Sequence, residues 1–173
     1  MLFRSIATHG FFLEDEKVIR ETGFMQIMNN QNHSYINPLL RSGLLFAGAN
    51  RAWKNEDVIS DIEDGILTAE EISHLNLSQT DLAVLSACET GLGEVQNSEG
   101  VFGLQRAFKL AGVKTLVMSL WKVDDNATSK FMIAFYNNLM AGKSKLESFR
   151  IAQQTIRIEH KNPYYWAAFV MLD

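Results

Sequence analysis

The sequence holds a single cysteine and only two prolines among its 173 residues. One thiol cannot close an internal disulfide, so a reducing, cytoplasmic setting is the simplest reading. The scarcity of proline, with no polar low-complexity run, excludes a disordered or linker-like chain. Nor does any apolar stretch reach the roughly 18 residues a membrane helix needs. The start, Met1 to Ile6, turns polar too quickly for a signal peptide. An excess of positive charge is also missing. The net charge is −4 and the pI about 5.6, which argues against phosphate-driven nucleic-acid binding. Lysines such as Lys109, Lys114 and Lys122 are interleaved with apolar residues instead of forming a patch. What is present is ordinary for one globular domain with a real core: 47% hydrophobic and 21% charged residues. Neither a nucleic-acid nor a membrane partner is expected.

Patterning predicts α/β architecture. Phe3–Thr8 reads as a strand entering a loop at His9-Gly10, and Phe24–Met28 as half of an irregular hairpin broken by Asn29-Asn30. Leu44–Gly48 fits a strand or a buried turn. Thr68 and Glu71 have capping-box spacing and start a short helix, with Asp64-Gly65 turning just before it. Leu82–Leu85 and Thr115–Leu120 are continuous apolar runs of the kind found in strands covered on both faces. Between them, Val101, Leu104, Phe108 and Ala111 form one stripe of a helix over 99–110, stopped by Gly112. Asp124 or Asp125 caps a helix with stripe Phe131, Phe135 and Leu139 that ends at Gly142. A further helix spans 145–159, and Tyr165–Met171 closes the chain as a strand. The alternation of strands and helices implies a largely parallel sheet between helical layers.

Two residues stand where such sheets place chemistry, at strand carboxyl ends. Cys88 follows the Leu82–Leu85 strand in Ser86-Ala87-Cys88-Glu89-Thr90-Gly91, and His9 follows the first strand. A thiol needs a base or a positive field to ionise near neutral pH, and a neighbouring histidine supplies one. Gly10 lets backbone N–H groups approach a substrate carbonyl. The plainer alternative makes Cys88 a small buried hydrophobe and His9 a satisfied loop histidine, and on spacing alone it is the better reading. Other chemistries fail on particular residues. Gly91-Leu92-Gly93 lacks a third glycine, since Gln96 stands there, and Glu94 and Glu99 would repel a pyrophosphate. The loop around Asp64-Gly65 puts Ile62 at a calcium-ligand position. His9, His33, His74 and His160 have no metal spacing with Cys88. No metal and no organic cofactor is expected.

The stretches Ala7–Gly10, Asn37–Leu44, Asp64–Ile72, Leu85–Gly91, Gly103–Phe108, Ser119–Asp125 and Pro163–Phe169 together resemble the CHAT family, in the same order and over nearly the whole chain. These caspase-like domains are usually found behind tetratricopeptide repeats in bacterial proteins. The resemblance implies a three-layer α/β/α sandwich of the caspase, separase and gingipain group, with a mostly parallel sheet. It implies a cysteine endopeptidase that hydrolyses a protein or peptide substrate through a His9–Cys88 dyad. Backbone N–H groups near Gly10 and Cys88 are implied to hold the oxyanion. Asp125, with Asp124 beside it, matches a stretch that binds a basic side chain before the cut; helix capping is the competing role for both. Ser86-Ala87-Cys88-Glu89 departs from the caspase Gln-Ala-Cys signature, so cleavage after aspartate is not implied. Family domains carry strands ahead of the histidine strand, so residues 1–173 are expected to be the carboxyl-terminal portion of one domain, lacking its first strands. Tetratricopeptide repeats are expected upstream in the parent protein, and an unpaired sheet edge is open to homodimer formation. A non-catalytic interaction module with the same fold is the alternative function.

Overall fold

The computed structural model describes residues 2–12, 37–54, 64–86 and 98–173. The expected hairpin at 24–28 and Cys88 itself lie outside the described residues.

Two strands that lack charged side chains form the centre. β5 (Leu82–Ser86) and β6 (Thr115–Ser119) are parallel neighbours, and from Leu82 to Leu85 and throughout β6 every residue is buried. β1 (Phe3–Ala7) pairs parallel with β5, and β7 (Phe169–Leu172) pairs antiparallel with β6. The sheet order is therefore β1-β5-β6-β7, mostly parallel. Side-chain alternation divides the core in two, as a period of two requires. Ala83, Leu85, Leu116 and Met118 face one side, where they meet Ile72 of α2 (Ala69–His74) and Leu104 and Phe108 of α3 (Ser98–Leu110). Leu82, Val84 and Val117 face the other, against α4 (Asp125–Met140) and α5 (Lys145–Glu159). There Phe131 stacks on Phe169 at 3.9 Å between ring centroids and meets Phe149 edge-on at 5.5 Å. Helices cover both faces, which gives the three-layer α/β arrangement.

The helix limits follow local chemistry. The capping box at α2 is complete: Thr68 Oγ1 accepts from Glu71 N–H at 3.2 Å, and the Glu71 carboxylate accepts from Thr68 N–H at 2.7 Å. Gly112 (φ 98°) and Gly142 (φ 86°) stand just past α3 and α4 in the left-handed region, which glycine adopts without strain. Among the described residues no helix is long and apolar enough to cross a membrane.

Three expectations need correction. His9 does not enter a loop: the chain bends at Thr8 and His9 begins β2 (His9–Phe12) of a second, antiparallel sheet. That sheet, ordered β2-β3-β4, includes β3 (Ser42–Leu45) and β4 (Ile66–Thr68), so Leu44 and Leu45 end a strand and the turn lies at Gly48. A short helix, α1 (Ala49–Trp53), follows. Thr68 thus both closes β4 and caps α2. The last strand begins at Phe169, not Tyr165, because Pro163–Tyr165 forms a 3-10 turn first. Proline favours such an opening turn, since it donates no backbone bond.

Candidate active site

The carboxyl ends of β1, β5 and β6 lie along one edge of the main sheet, because all three run parallel. At that edge Ala7 is the register partner of Ser86, and Thr8 N–H donates to the Ser86 carbonyl at 3.3 Å. The Thr8 hydroxyl then donates to the Leu45 carbonyl of β3. Thr8 thus ties both sheets together one residue before His9. His9 pairs with Leu45 and Gly10 with Leu44 across the second sheet. His9 is exposed, while Gly10 next to it is buried. The fold fixes His9 at the seam between two sheets, a stiffer setting than the loop its flanking sequence suggests.

β6 leads over Leu120–Val123 into α4. Asp124 is the N-cap of that helix: one carboxylate oxygen accepts from Asn126 N–H and Ala127 N–H, each at 3.1 Å. These bonds satisfy donors that the first helical turn leaves unpaired. Capping, the competing role, is therefore the one Asp124 performs. Asp125 follows at the first helical position, exposed, with no such bond among the described residues. The two aspartates that the sequence offers together are both exposed but differ in bonding: Asp124 caps the helix and Asp125 does not.

Sequence reasoning did not find what braces this segment. Trp121 Nε1–H donates to the Tyr164 carbonyl at 3.0 Å, and the Tyr164 hydroxyl donates back to the Lys122 carbonyl at 2.6 Å. Leu120 N–H donates to Ala168 at 2.9 Å. The stretch before Asp124 is thereby laced to the 3-10 turn before β7. The pairing of an indole and a phenol 43 positions apart leaves no periodic signal in the sequence.

Of the expected site residues, the described structure places His9 and Gly10 at the start of β2, just past the carboxyl end of β1, and Asp124 and Asp125 at the start of α4, past the end of β6. Cys88 lies outside the described residues. Among those described, no group of three His, Cys, Asp or Glu side chains is arranged to hold a metal ion.

Comparison with known proteins gives a family and two relatives. The family described as CHAT domain matches residues 5–173. Tetratricopeptide repeat protein 28 of Mus musculus is 34% identical over 111 residues, which is 62% of this chain and 4% of the relative. The human protein of the same name is 30% identical over 115 residues, covering 64% of this chain and 4% of its own length. The chain thus corresponds to about one twenty-fifth of the curated relatives it matches.

Proposed function

The chain belongs to the CHAT domain family, and we propose that this caspase-like, peptidase-related domain is a cysteine endopeptidase acting through Cys88 and His9. The observation that carries this reading is a register. Ala7 and Ser86 are partners on adjacent parallel strands, and His9 and Cys88 each follow two residues later. Equal offsets from paired positions, at the sheet edge where α/β folds place chemistry, support a dyad of these two residues.

In the proposed reaction the Cys88 thiolate adds to a peptide carbonyl carbon, and the carbonyl pair moves onto oxygen. Backbone N–H groups of Gly10 and Cys88 hold that oxyanion. The C–N bond then breaks as His9, protonated, gives its proton to the leaving amine, which leaves a thioacyl-enzyme. Water, deprotonated by His9, attacks the thioester and releases the acid and the thiolate. Asp125 draws a basic residue of the substrate to the cleavage position; its exposed carboxylate, unengaged by the helix cap, supports that role. The relatives named for tetratricopeptide repeats support a parent in which such repeats govern access to the site; the single thiol favours a reducing, cytoplasmic setting for it. Among the described residues β1 stands at the sheet edge, with Leu2 46% and Phe3 43% exposed, which supports pairing with a second copy, read as a concentration-dependent mass in sedimentation.

The test uses the chain's single cysteine, because every alkylated thiol is then Cys88. Iodoacetamide uptake followed by intact mass at pH 7 is expected to run about tenfold faster than for an ordinary thiol of pKa about 8.5, and His9→Ala to return it to that ordinary rate. Cleavage of peptides bearing Lys or Arg should vanish in Cys88→Ala. If alkylation is slow and indifferent to His9, the dyad is wrong and the domain is a non-catalytic interaction module.

A further inference from the structure

The outer face of α5 carries an arrangement that the peptidase reading does not use. Arg150, Gln153, Gln154 and Arg157 lie on one side of the helix, at spacings of three, four and seven residues. Together with Trp166 they line a cleft of about 210 Å³. Among the described residues no carboxylate lines it. Among the described residues neither arginine has an ion-pair partner, although the chain holds 20 acidic residues against 16 basic ones. The nearby acids are committed or displaced. Glu159 is paired with Lys130, and Glu147, one turn before Arg150 on the same helix, lines an adjoining depression that shares Arg150 and Gln154 with the cleft.

Arg157 is held in a particular way. Its guanidinium carbon lies 5.3 Å from the centre of the Trp166 ring. Stacking on an indole face fixes a guanidinium while leaving the N–H donors around its rim available, so less freedom is lost when an anion binds. The indole is itself anchored. Gln153 Nε2–H donates to the Trp166 carbonyl at 3.3 Å and to the Phe169 carbonyl at 3.1 Å, and Trp166 N–H donates to Pro163 at 3.2 Å. The buried Nε1–H of Trp166 has no acceptor among the described residues. The lining is therefore rich in donors: two guanidinium forks and the amide of an exposed Gln154, beside an indole platform pinned to helix and sheet.

We propose that this cleft binds a multiply charged oxyanion, phosphate or carboxylate, bridged between Arg150 and Arg157. The two arginines are seven residues apart, about 10 Å along the helix, so a ligand with two anionic groups engages both, whereas a single small anion reaches only one. Such a ligand is either a free polyanion or an acidic stretch of a polypeptide. None of its lining residues has a part in the peptidase proposal, so its failure leaves that proposal untouched.

The full chain is titrated with pyrophosphate and, separately, with a hexaglutamate peptide, by calorimetry and by tryptophan emission. At least one probe is expected to bind, less tightly as salt is raised, and to change an emission that Trp166→Phe removes. Arg150→Gln and Arg157→Gln should each weaken binding by about tenfold, and Arg157→Lys should fail to restore it, because lysine keeps the charge but not the fork. Binding of pyrophosphate alone assigns a free polyanion, and binding of the peptide alone assigns an acidic polypeptide. Arg106→Gln, which alters an exposed arginine on α3, is the control. No binding of either probe at 10-fold the protein concentration and above, up to about 10 mM, overturns the proposal. So does an equal loss in Arg106→Gln, which marks bulk charge.

Discussion

Asp124 and Asp125 are adjacent, carry the same charge and sit at the same helix start, yet they are predicted to fail differently. Replacing Asp124 by alanine removes the acceptor for two backbone N–H groups and costs about 1 kcal/mol, or about 2–4 °C in Tm for a chain of this size. Replacing Asp125 leaves that cap intact. It is expected to hold Tm within about 1 °C while abolishing any preference for a basic residue in peptide cleavage. Thermal melts and a peptide-library cleavage profile on the two variants separate these outcomes; matched Tm losses would mean both carboxylates serve the helix. The sequence offered both residues as caps and both as substrate ligands, since a capping aspartate and a binding aspartate look alike in one dimension. Only the cap hydrogen bonds made by Asp124 resolve them. The same holds for His9, whose exposure at a two-sheet seam depends on Thr8 reaching Leu45, a contact 37 positions away.

Elements that declare themselves by burial were legible in advance. β5, β6, α3 and α4 have uninterrupted apolar runs or stripes that few other arrangements can bury, and their limits agree with the patterning to within a residue or two. Of the second sheet, β3 showed only as a strand-or-turn at 44–48 and β2 and β4 not at all, because strands of three or four residues show too few alternations to register a period. What seats that sheet is close packing. A Cβ added at Gly103 in α3 would lie 2.6 Å from Ser42 Oγ in β3, and Ser42 is fully buried with no hydrogen-bond partner for its hydroxyl among the described residues. Gly103→Ala is therefore expected to destabilise by about 1–2 kcal/mol, the overpacking cost outweighing the gain in helix propensity. In a Ser42→Ala background the offending oxygen is gone and the same change should be neutral or stabilising. Urea unfolding of the double-mutant cycle checks this, with a coupling of about 1 kcal/mol or more expected. Additive effects would mean that helix and strand are not in close contact.

The molecule as a whole is a sheet with its proposed chemistry at one edge and a polar clamp at the other. Asp81, Lys114 and Leu2 stand just ahead of β5, β6 and β1. The Asp81 carboxylate accepts from Lys114 Nζ at 2.8 Å and from Leu2 N–H at 2.9 Å, so one side chain joins the starts of three parallel strands. The bond from Lys114, more than that from Leu2, holds the Asp81 carboxyl below the ordinary carboxylate range. A carboxylate depressed in the folded state contributes stability that is fully present above its unfolded pKa, about 3.9, and is lost as pH falls through the folded value. Asp81→Asn keeps an acceptor for Leu2 but loses the charge. The gap in stability between wild type and Asp81→Asn should accordingly be constant from about pH 8 to pH 5 and close below about pH 4. Raised salt should narrow it at neutral pH, since the pair is solvent-facing, with the lysine side chain 59% exposed. Thermal melts of both proteins at pH 7, 5 and 3 read the effect directly. A gap that persists unchanged at pH 3 would mean the clamp works through its hydrogen bonds alone, and that its charge plays no part in holding β1 at the sheet edge that presents His9.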